Sequence, residues 1–214
     1  MHLSKKTIKV NSSVAQPDVI NKAANIIKKG GIVSFPTKCI YGLGADPFNV
    51  YAVNKIFMIK KRSPDKPLLI LINNLNAISE IVKNISTCAE TIMKYFWPGG
   101  ITIVFEAKTL LPDILTAGTG KIGIRMPGHV TTKALVTASG AITGTSANIS
   151  GDPGCSRVSE IDPLLANNID LILDAGTLKG GIGSTIIDAT YNPPVILREG
   201  IISKKKIHYV LDNF

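Results

Sequence analysis

"ITGTSANISG", residues 142–151, leaves the apolar pair Ala141-Ile142, enters a polar cluster and leads into a loop containing Gly and Pro. Its centre, Gly144-Thr145-Ser146-Ala147-Asn148, stops one residue short of the G-x-S-x-G elbow, which presents a nucleophilic serine on a strand-to-helix turn. Either Ser146 is a nucleophile, or the cluster closes a strand and offers hydroxyl and amide groups to a ligand. A nucleophilic serine needs a histidine base and an acidic partner to orient it. His129 is the only central histidine and no carboxylate stands at a telling spacing from it, while His2 and His208 lie at the ends. His129 therefore reads as structural, and Ser146 as a ligand-binding hydroxyl.

Working outward, strand-like and helix-like segments interleave along the whole chain. Pro17 and Gly30-Gly31 frame a helix over Pro17–Lys28 whose Val19, Ile20, Ala23, Ala24, Ile26 and Ile27 form one buried face. Residues 32–35 read as a strand stopped by Pro36, Asn49 as the N-cap of a helix through Lys60, and residues 67–72 as a buried strand. Thr87-Cys88-Ala89-Glu90 fits a capping box for a helix running to Phe96, ended by Trp97-Pro98-Gly99-Gly100. Further strands are expected at 101–105, 122–125, 141–143, 171–174, 184–188 and 195–197, and helices at 131–139 and 160–167. With no repeat or linker, this pattern predicts one α/β domain with a mixed sheet and flanking helices, occupying 1–214 with a core of about 15–202.

The 214 residues carry a net charge of +9, with 45% hydrophobic and 18% charged side chains. That describes a globule with one substantial core and a preference for anionic partners such as nucleotides or RNA. Cys39, Cys88 and Cys155 are scattered and odd in number, which argues against a zinc site or a disulfide framework. Met1–Lys6 is not followed by an apolar signal core, and no apolar run is long enough to span a bilayer, so a cytoplasmic protein is expected. Lys204-Lys205-Lys206 reads as a solvated patch, and Tyr41 and Trp97 as packing groups.

Two glycine motifs are decoys. Gly118-Thr119-Gly120-Lys121 lacks the first glycine of a P-loop, has Ile122 after the lysine and leads into a strand. Gly180-Gly181-Ile182-Gly183 does not sit between a strand and a helix as a dinucleotide fingerprint must. More telling is Lys60-Lys61-Arg62-Ser63-Pro64-Asp65-Lys66-Pro67. Pro64 forces Ser63 into extended backbone, ending the helix near 60–62, and the i, i+2 spacing lets Lys60 and Arg62 converge on one side beyond it. Ser146 and Asn148 share that spacing. A Lys–Arg pair suits phosphate; a Ser–Asn pair suits a sugar hydroxyl, a carboxylate or further phosphate oxygens.

Together these blocks resemble the YrdC/TsaC family, the L-threonylcarbamoyl-AMP synthases. The resemblance runs from Gly30-Gly31 to Arg198-Glu199-Gly200. It includes Pro36-Thr37-Lys38-Cys39-Ile40-Tyr41-Gly42-Leu43-Gly44, the K-x-R-x-x-x-K-P-L segment from Lys60, Trp97-Pro98-Gly99 and Arg125-Met126-Pro127. Ser146-Ala147-Asn148-Ile149-Ser150-Gly151 and Ser184-Thr185-Ile186-Ile187-Asp188 complete it. The resemblance implies a short, single-domain form with a twisted sheet and a positively charged concave surface. It implies a nucleotidyltransferase that joins L-threonine, bicarbonate and ATP into threonylcarbamoyl-AMP with release of pyrophosphate, Mg²⁺ accompanying ATP. The product feeds modification of the adenosine beside the tRNA anticodon through downstream threonylcarbamoyl-transferase proteins, and tRNA itself is a candidate partner. By the same resemblance Lys60, Arg62, Ser146 and Asn148 form a catalytic tetrad around the ATP phosphates. Thr37, Lys66, Arg125, Ser146 and Ser184 line the threonine pocket, with Lys121, Asn148, Ser156 and Arg198 on the nucleotide side. Lys38 stands where an acidic residue is common, and Lys121 where a small hydroxyl residue is common.

The chemistry supports that assignment: a threonine N-carboxylate attacking an α-phosphorus brings two anions together, which cations must hold and no protein nucleophile need assist. Two other readings stand beside it. A non-catalytic double-stranded RNA-binding module would need distributed charge rather than a tetrad. A carbamoyl-transfer relative from hydrogenase maturation would carry zinc-finger and acylphosphatase segments.

Overall fold

A computed structural model describes residues 6–213; the lead-in Met1–Lys5, with His2, lies outside the described residues. In chain order the elements are β1 (Thr7–Lys9), α1 (Pro17–Lys28), β2 (Val33–Pro36), β3 (Tyr41–Gly44), α2 (Val50–Lys60), β4 (Leu69–Leu71), α3 (Asn76–Ile81), α4 (Thr87–Phe96), β5 (Ile101–Glu106) and α5 (Asp113–Thr116). There follow β6 (Lys121–Arg125), α6 (Val130–Ser139), β7 (Ile142–Ser146), a 3₁₀ turn (Val158–Glu160), α7 (Pro163–Asn167), β8 (Leu171–Asp174), β9 (Thr185–Asp188), β10 (Val195–Arg198) and α8 (Lys204–Asn213).

The strands join into a ten-stranded mixed sheet in the order β1-β8-β2-β3-β7-β4-β6-β5-β9-β10. Period-two alternation sends successive side chains to opposite faces. On β4, β5, β6 and β9, Ile70, Ile101, Ile103, Phe105, Ile122, Ile124 and Ile187 enter the larger core, shared with α2, α4, α7 and α8. The other face is covered by α1 and α6, whose Ile20, Ala24, Ile27, Leu135 and Val136 pack with Val33, Phe35, Leu71 and Ile142. Beyond the edge of that two-helix layer the same face of β4, β6, β5 and β9 is left open, and there the cavity described below lies.

The single α/β domain with a mixed sheet and flanking helices matches the expectation, and α1 ends where expected. Several elements differ. β7 runs to Ser146, not 143, because it pairs antiparallel with both β3 (Gly42↔Ser146) and β4 (Leu69↔Gly144). Tyr41-Gly42-Leu43-Gly44 has too many glycines to read as a strand, yet β2 supplies a full antiparallel partner. Ser86, not Thr87, caps α4 by accepting from the Ala89 amide, so no capping box forms at 87–90. The expected helix over 160–167 is divided: Asp162 accepts from the Leu164 and Leu165 amides and starts α7 afresh with Pro163 in its first turn. Lys204-Lys205-Lys206 opens a helix, α8, which buries Ile207 and Val210. No helix among the described residues is long and apolar enough to cross a membrane.

Asn49 positions the element that carries Lys60. Its side chain accepts from the Tyr51 and Ala52 amides, both at 3.1 Å, capping α2. Asn49→Ala should lower the unfolding free energy by about 1 kcal/mol, the usual effect of losing an N-cap acceptor, whereas Asn49→Asp should retain most of it. Denaturant titration checks this; equal midpoints for Asn49→Ala and the parent would show that the cap contributes nothing.

Candidate functional site

The exposed half of the sheet face carries a cavity of ≈530 Å³. Gly42, Gly123 and Gly144 are part of its lining, and the lack of a side chain at each lets neighbouring side chains pack against the backbone. A Cβ built on Gly144 would meet Leu69 Cδ1 at 2.5 Å, and one on Gly42 would meet the Phe35 ring at 2.5 Å. The rim comes from the β2–β3 loop (Thr37, Lys38, Cys39), from Arg62, from Ser146 at the end of β7, from Arg125 at the end of β6, and from Ser184 and Arg198 near β9 and β10. Four cations, Lys38, Arg62, Arg125 and Arg198, line the cavity, and no carboxylate does.

Main-chain carbonyls hold each arginine in place. Arg62 donates from Nε to Lys66 O (3.0 Å) and from Nη2 to Pro67 O (2.8 Å). Arg125 Nε donates to Gly99 O at 2.8 Å, and Arg198 Nη2 to Ser184 O at 2.7 Å. These bonds fix the guanidinium planes but leave other N–H groups free to meet an anion. Burial pushes the Arg125 pKa down; Cys39 opposes that shift and the neighbouring Arg198 adds to it. Burial likewise lowers that of Arg62. Ser184 Oγ and Thr102 Oγ1 share a hydrogen bond of 2.7 Å, and the Thr37 hydroxyl donates to Ile40 O at 2.6 Å.

Of the residues singled out in the sequence, Thr37, Arg62, Arg125, Ser146, Ser184 and Arg198 come together at this one cavity. The others do not line it. Lys60 is 1% exposed at the last position of α2, not beyond the helix end. Its Nζ donates to Ser146 O and Asn148 O, each at 2.5 Å, and its own carbonyl accepts from the Ser150 amide at 2.8 Å. Lys61 takes the left-handed conformation (φ 49°) directly after it and turns the chain, so Lys60 belongs to the helix and does not share an extended i, i+2 stretch with Arg62. Asn148 is buried, with its amide donating to Ile149 O (2.7 Å) and Asp152 O (2.8 Å). Lys66 is exposed and enters only through its carbonyl, which orients Arg62. Lys121 sits at the far end of β6 from Arg125, paired with Asp188 at 2.9 Å and 4.3 Å from the Tyr191 ring centroid. Ser156 faces the Glu160 carboxylate (3.1 Å).

Other groups emerge only from the fold. Thr102 reaches the cavity because β5 alternates Ile101, Ile103 and Phe105 into the core, a pattern visible in the sequence. Lys38 and Cys39 arrive through the β2–β3 pairing, which needed the unexpected strand. His129 caps α6, its Nδ1 accepting from the Thr131 amide at 3.3 Å, and does not line the cavity. Among the described residues no histidine lines the cavity beside Ser146, and no helix follows it directly, so the elbow geometry is not formed there.

The comparisons agree with this geometry. The profile of the Sua5/YciO/YrdC family, described as telomere recombination, matches residues 25–200. The chain belongs to this family. It is 36% identical over 193 residues to the threonylcarbamoyl-AMP synthase of Pyrococcus abyssi, covering 90% of this chain and 57% of that protein. It is 34% identical over 193 residues to a putative threonylcarbamoyl-AMP synthase of Mycobacterium tuberculosis, covering 90% of this chain and 88% of the relative. The solved structure of P. abyssi Sua5 complexed with L-threonine superposes with a TM-score of 0.91 at 36% identity, over 95% of this chain and 60% of that one. The chain thus spans little more than half the length of its P. abyssi relative.

Lys60 gives a test by titration. Burial, reinforced by Arg62 and opposed by Cys155, lowers its pKa from 10.5 to about 8. Between those values the unfolded chain holds a proton that the folded one has released, so this group makes stability rise with pH from about 8 to 10.5. The difference in unfolding free energy between the parent protein and Lys60→Met should move in the parent's favour as pH is raised from 7.5 through 9.5. A difference independent of pH would show that the Lys60 amine does not titrate there.

Proposed function

We propose that this chain synthesises L-threonylcarbamoyl-AMP from L-threonine, bicarbonate and ATP, releasing pyrophosphate, for transfer by downstream proteins to the adenosine beside the tRNA anticodon. One observation carries the reading. Three arginines on separate segments, each held by a main-chain carbonyl, converge with Thr37, Ser146 and Ser184 on a cavity that contains no carboxylate. Such a site suits two anions that must be brought into contact. The threonine relationship reported for the P. abyssi structure points the same way.

In this reading the neutral threonine amine bonds to the carbon of bicarbonate, which loses one oxygen as water with the amine's proton, and an oxygen of the resulting N-carboxylate attacks the α-phosphorus of ATP. A new P–O bond forms as the bond to the β-phosphoryl oxygen breaks, and pyrophosphate leaves with the electron pair. Arg62 and Arg198 lie against the phosphates and stabilise the charge that spreads over them. Arg125 holds the threonine carboxylate through its free guanidinium N–H groups, with Thr37 and Ser184 beside it. Ser146 offers its hydroxyl from the strand end. Lys60 acts through the backbone, fixing the Ser146 and Asn148 carbonyls, and is a positioning residue. Mg²⁺ would come as part of the nucleotide substrate, its charge offset by the phosphates, since the charged side chains lining the cavity are all cations and offer it no ligand. Lys121 and Ser156 have no contact in this reading, since both are committed to carboxylates away from the cavity.

The experiment is incubation with ATP, bicarbonate and each amino acid in turn, with pyrophosphate and the adenylate measured. Threonine-dependent release is expected, and Arg62→Ala should reduce it by roughly 10²–10³-fold, the scale for losing one charge contact in a transition state. No protein adduct on Ser146 should accumulate during turnover. Binding of double-stranded RNA without adenylate formation would instead favour a binding module.

A further inference from the structure

The chain between β8 and β9 forms a glycine-rich strap that contributes Ile182 and Gly183 to the cavity lining. At its start the Tyr41 hydroxyl donates to Gly176 O (2.7 Å) and accepts from the Ala175 amide (3.0 Å). Two backbone bonds then tie it down, Leu178 N to Ser156 O (2.8 Å) and Gly180 N to Cys39 O (2.9 Å). At its far end Gly183 O accepts from the Ile201 amide at 3.1 Å. Between the Gly180 and Gly183 anchors, Gly181 and Ile182 make no hydrogen bond among the described residues. Gly180 (φ 75°) and Gly181 (φ 99°) both lie in the left-handed region, and a Cβ built on either meets nothing within 4 Å. The backbone there is permissive and uncrowded, as a hinge requires.

Ile182 lines the cavity, yet is 62% exposed. A large aliphatic side chain at the lip of a substrate cavity has apolar area to bury only if something enters or the lip moves inward. Other apolar side chains, Ile186, Leu197 and Ile201, also line the cavity. We propose that Ile182 is a substrate-contacting residue on a short lid, residues 181–182, which hinges at Gly180-Gly181 and closes over the occupied cavity. This rests on the reading of the cavity as the substrate site and adds to it a device that excludes water. Closure has a chemical use there, because the product is a mixed anhydride of a carbamic and a phosphoric acid, which water would hydrolyse.

The test is amide hydrogen exchange across residues 176–183, without ligand and with ATP, pyrophosphate or inorganic phosphate, alongside calorimetry of the same mixtures. On binding, exchange at Gly181–Gly183 should slow by about tenfold or more, while β4 and β6 stay unchanged. Ile182→Ala, an exposed truncation that keeps the thermal midpoint, should raise the KM for ATP about tenfold and increase the fraction of adenylate lost to hydrolysis. Calorimetric binding without added protection at 181–183, or wild-type kinetics for Ile182→Ala, overturns the lid and leaves the proposed function standing. No binding by any of the three probes overturns both.

Discussion

The Lys60 ammonium, out of water and bonded to the Ser146 and Asn148 carbonyls, is the contact on which the site depends. Two chain segments far apart in sequence meet there: the last turn of α2 and the end of β7. β7 is itself the strand that bridges β3 and β4 in the middle of the sheet. Wherever the Lys60 amine sits, the Ser146 backbone must follow, and with it the direction of the Ser146 hydroxyl into the cavity. The reciprocal bond from the Ser150 amide to Lys60 O closes the connection from the other side. A buried charge this close to Arg62 is held against its own desolvation, and its lowered pKa measures that strain. A neutral side chain would spare the desolvation but leave two buried carbonyls without a donor.

With that backbone fixed, the rest of the site follows from two economies. The floor includes glycines on β3, β7 and β6, where a side chain would collide with Phe35 or Leu69 or press on Thr102, so these neighbours pack close to the backbone beneath the cavity. The walls are made of arginines whose orientation is set by main-chain oxygens rather than by carboxylates. A carboxylate would fix a guanidinium equally well but would neutralise the field that attracts an anion. Carbonyls fix the geometry and leave the charge available, as electrostatic preorganisation requires. The ion pairs present among the described residues, Lys55–Asp170, Lys121–Asp188 and Arg157–Glu160, are all outside the cavity lining.

The parts of this arrangement legible in the sequence were those with local signals. Apolar periodicity and capping chemistry marked α1, α2 and most strands, and block order identified the residues that converge. Where the signal was not local, the sequence misled. Gly-rich β3 formed because β2 and β7 flank it, and no propensity records a neighbour. Lys60 was expected beyond the helix end because Pro64 pointed to extended backbone; it is instead the last helical residue, ahead of the left-handed turn at Lys61, and is buried. Lys121 looked available until Asp188, 67 positions later in the chain, was seen to meet it.

The unneutralised cavity carries an energetic consequence. Burial lowers the Arg125 pKa, and the nearby Arg198 charge adds to that shift. An anion bound between the Arg125 and Arg198 guanidinium groups would interact favourably with both of them. At the lip, Gly181 and Ile182 make no hydrogen bond among the described residues. A strap bonded along its whole length would have to break contacts to admit ligand, whereas one tied at Gly180 and Gly183 and free between can respond to the charge neutralisation beneath it.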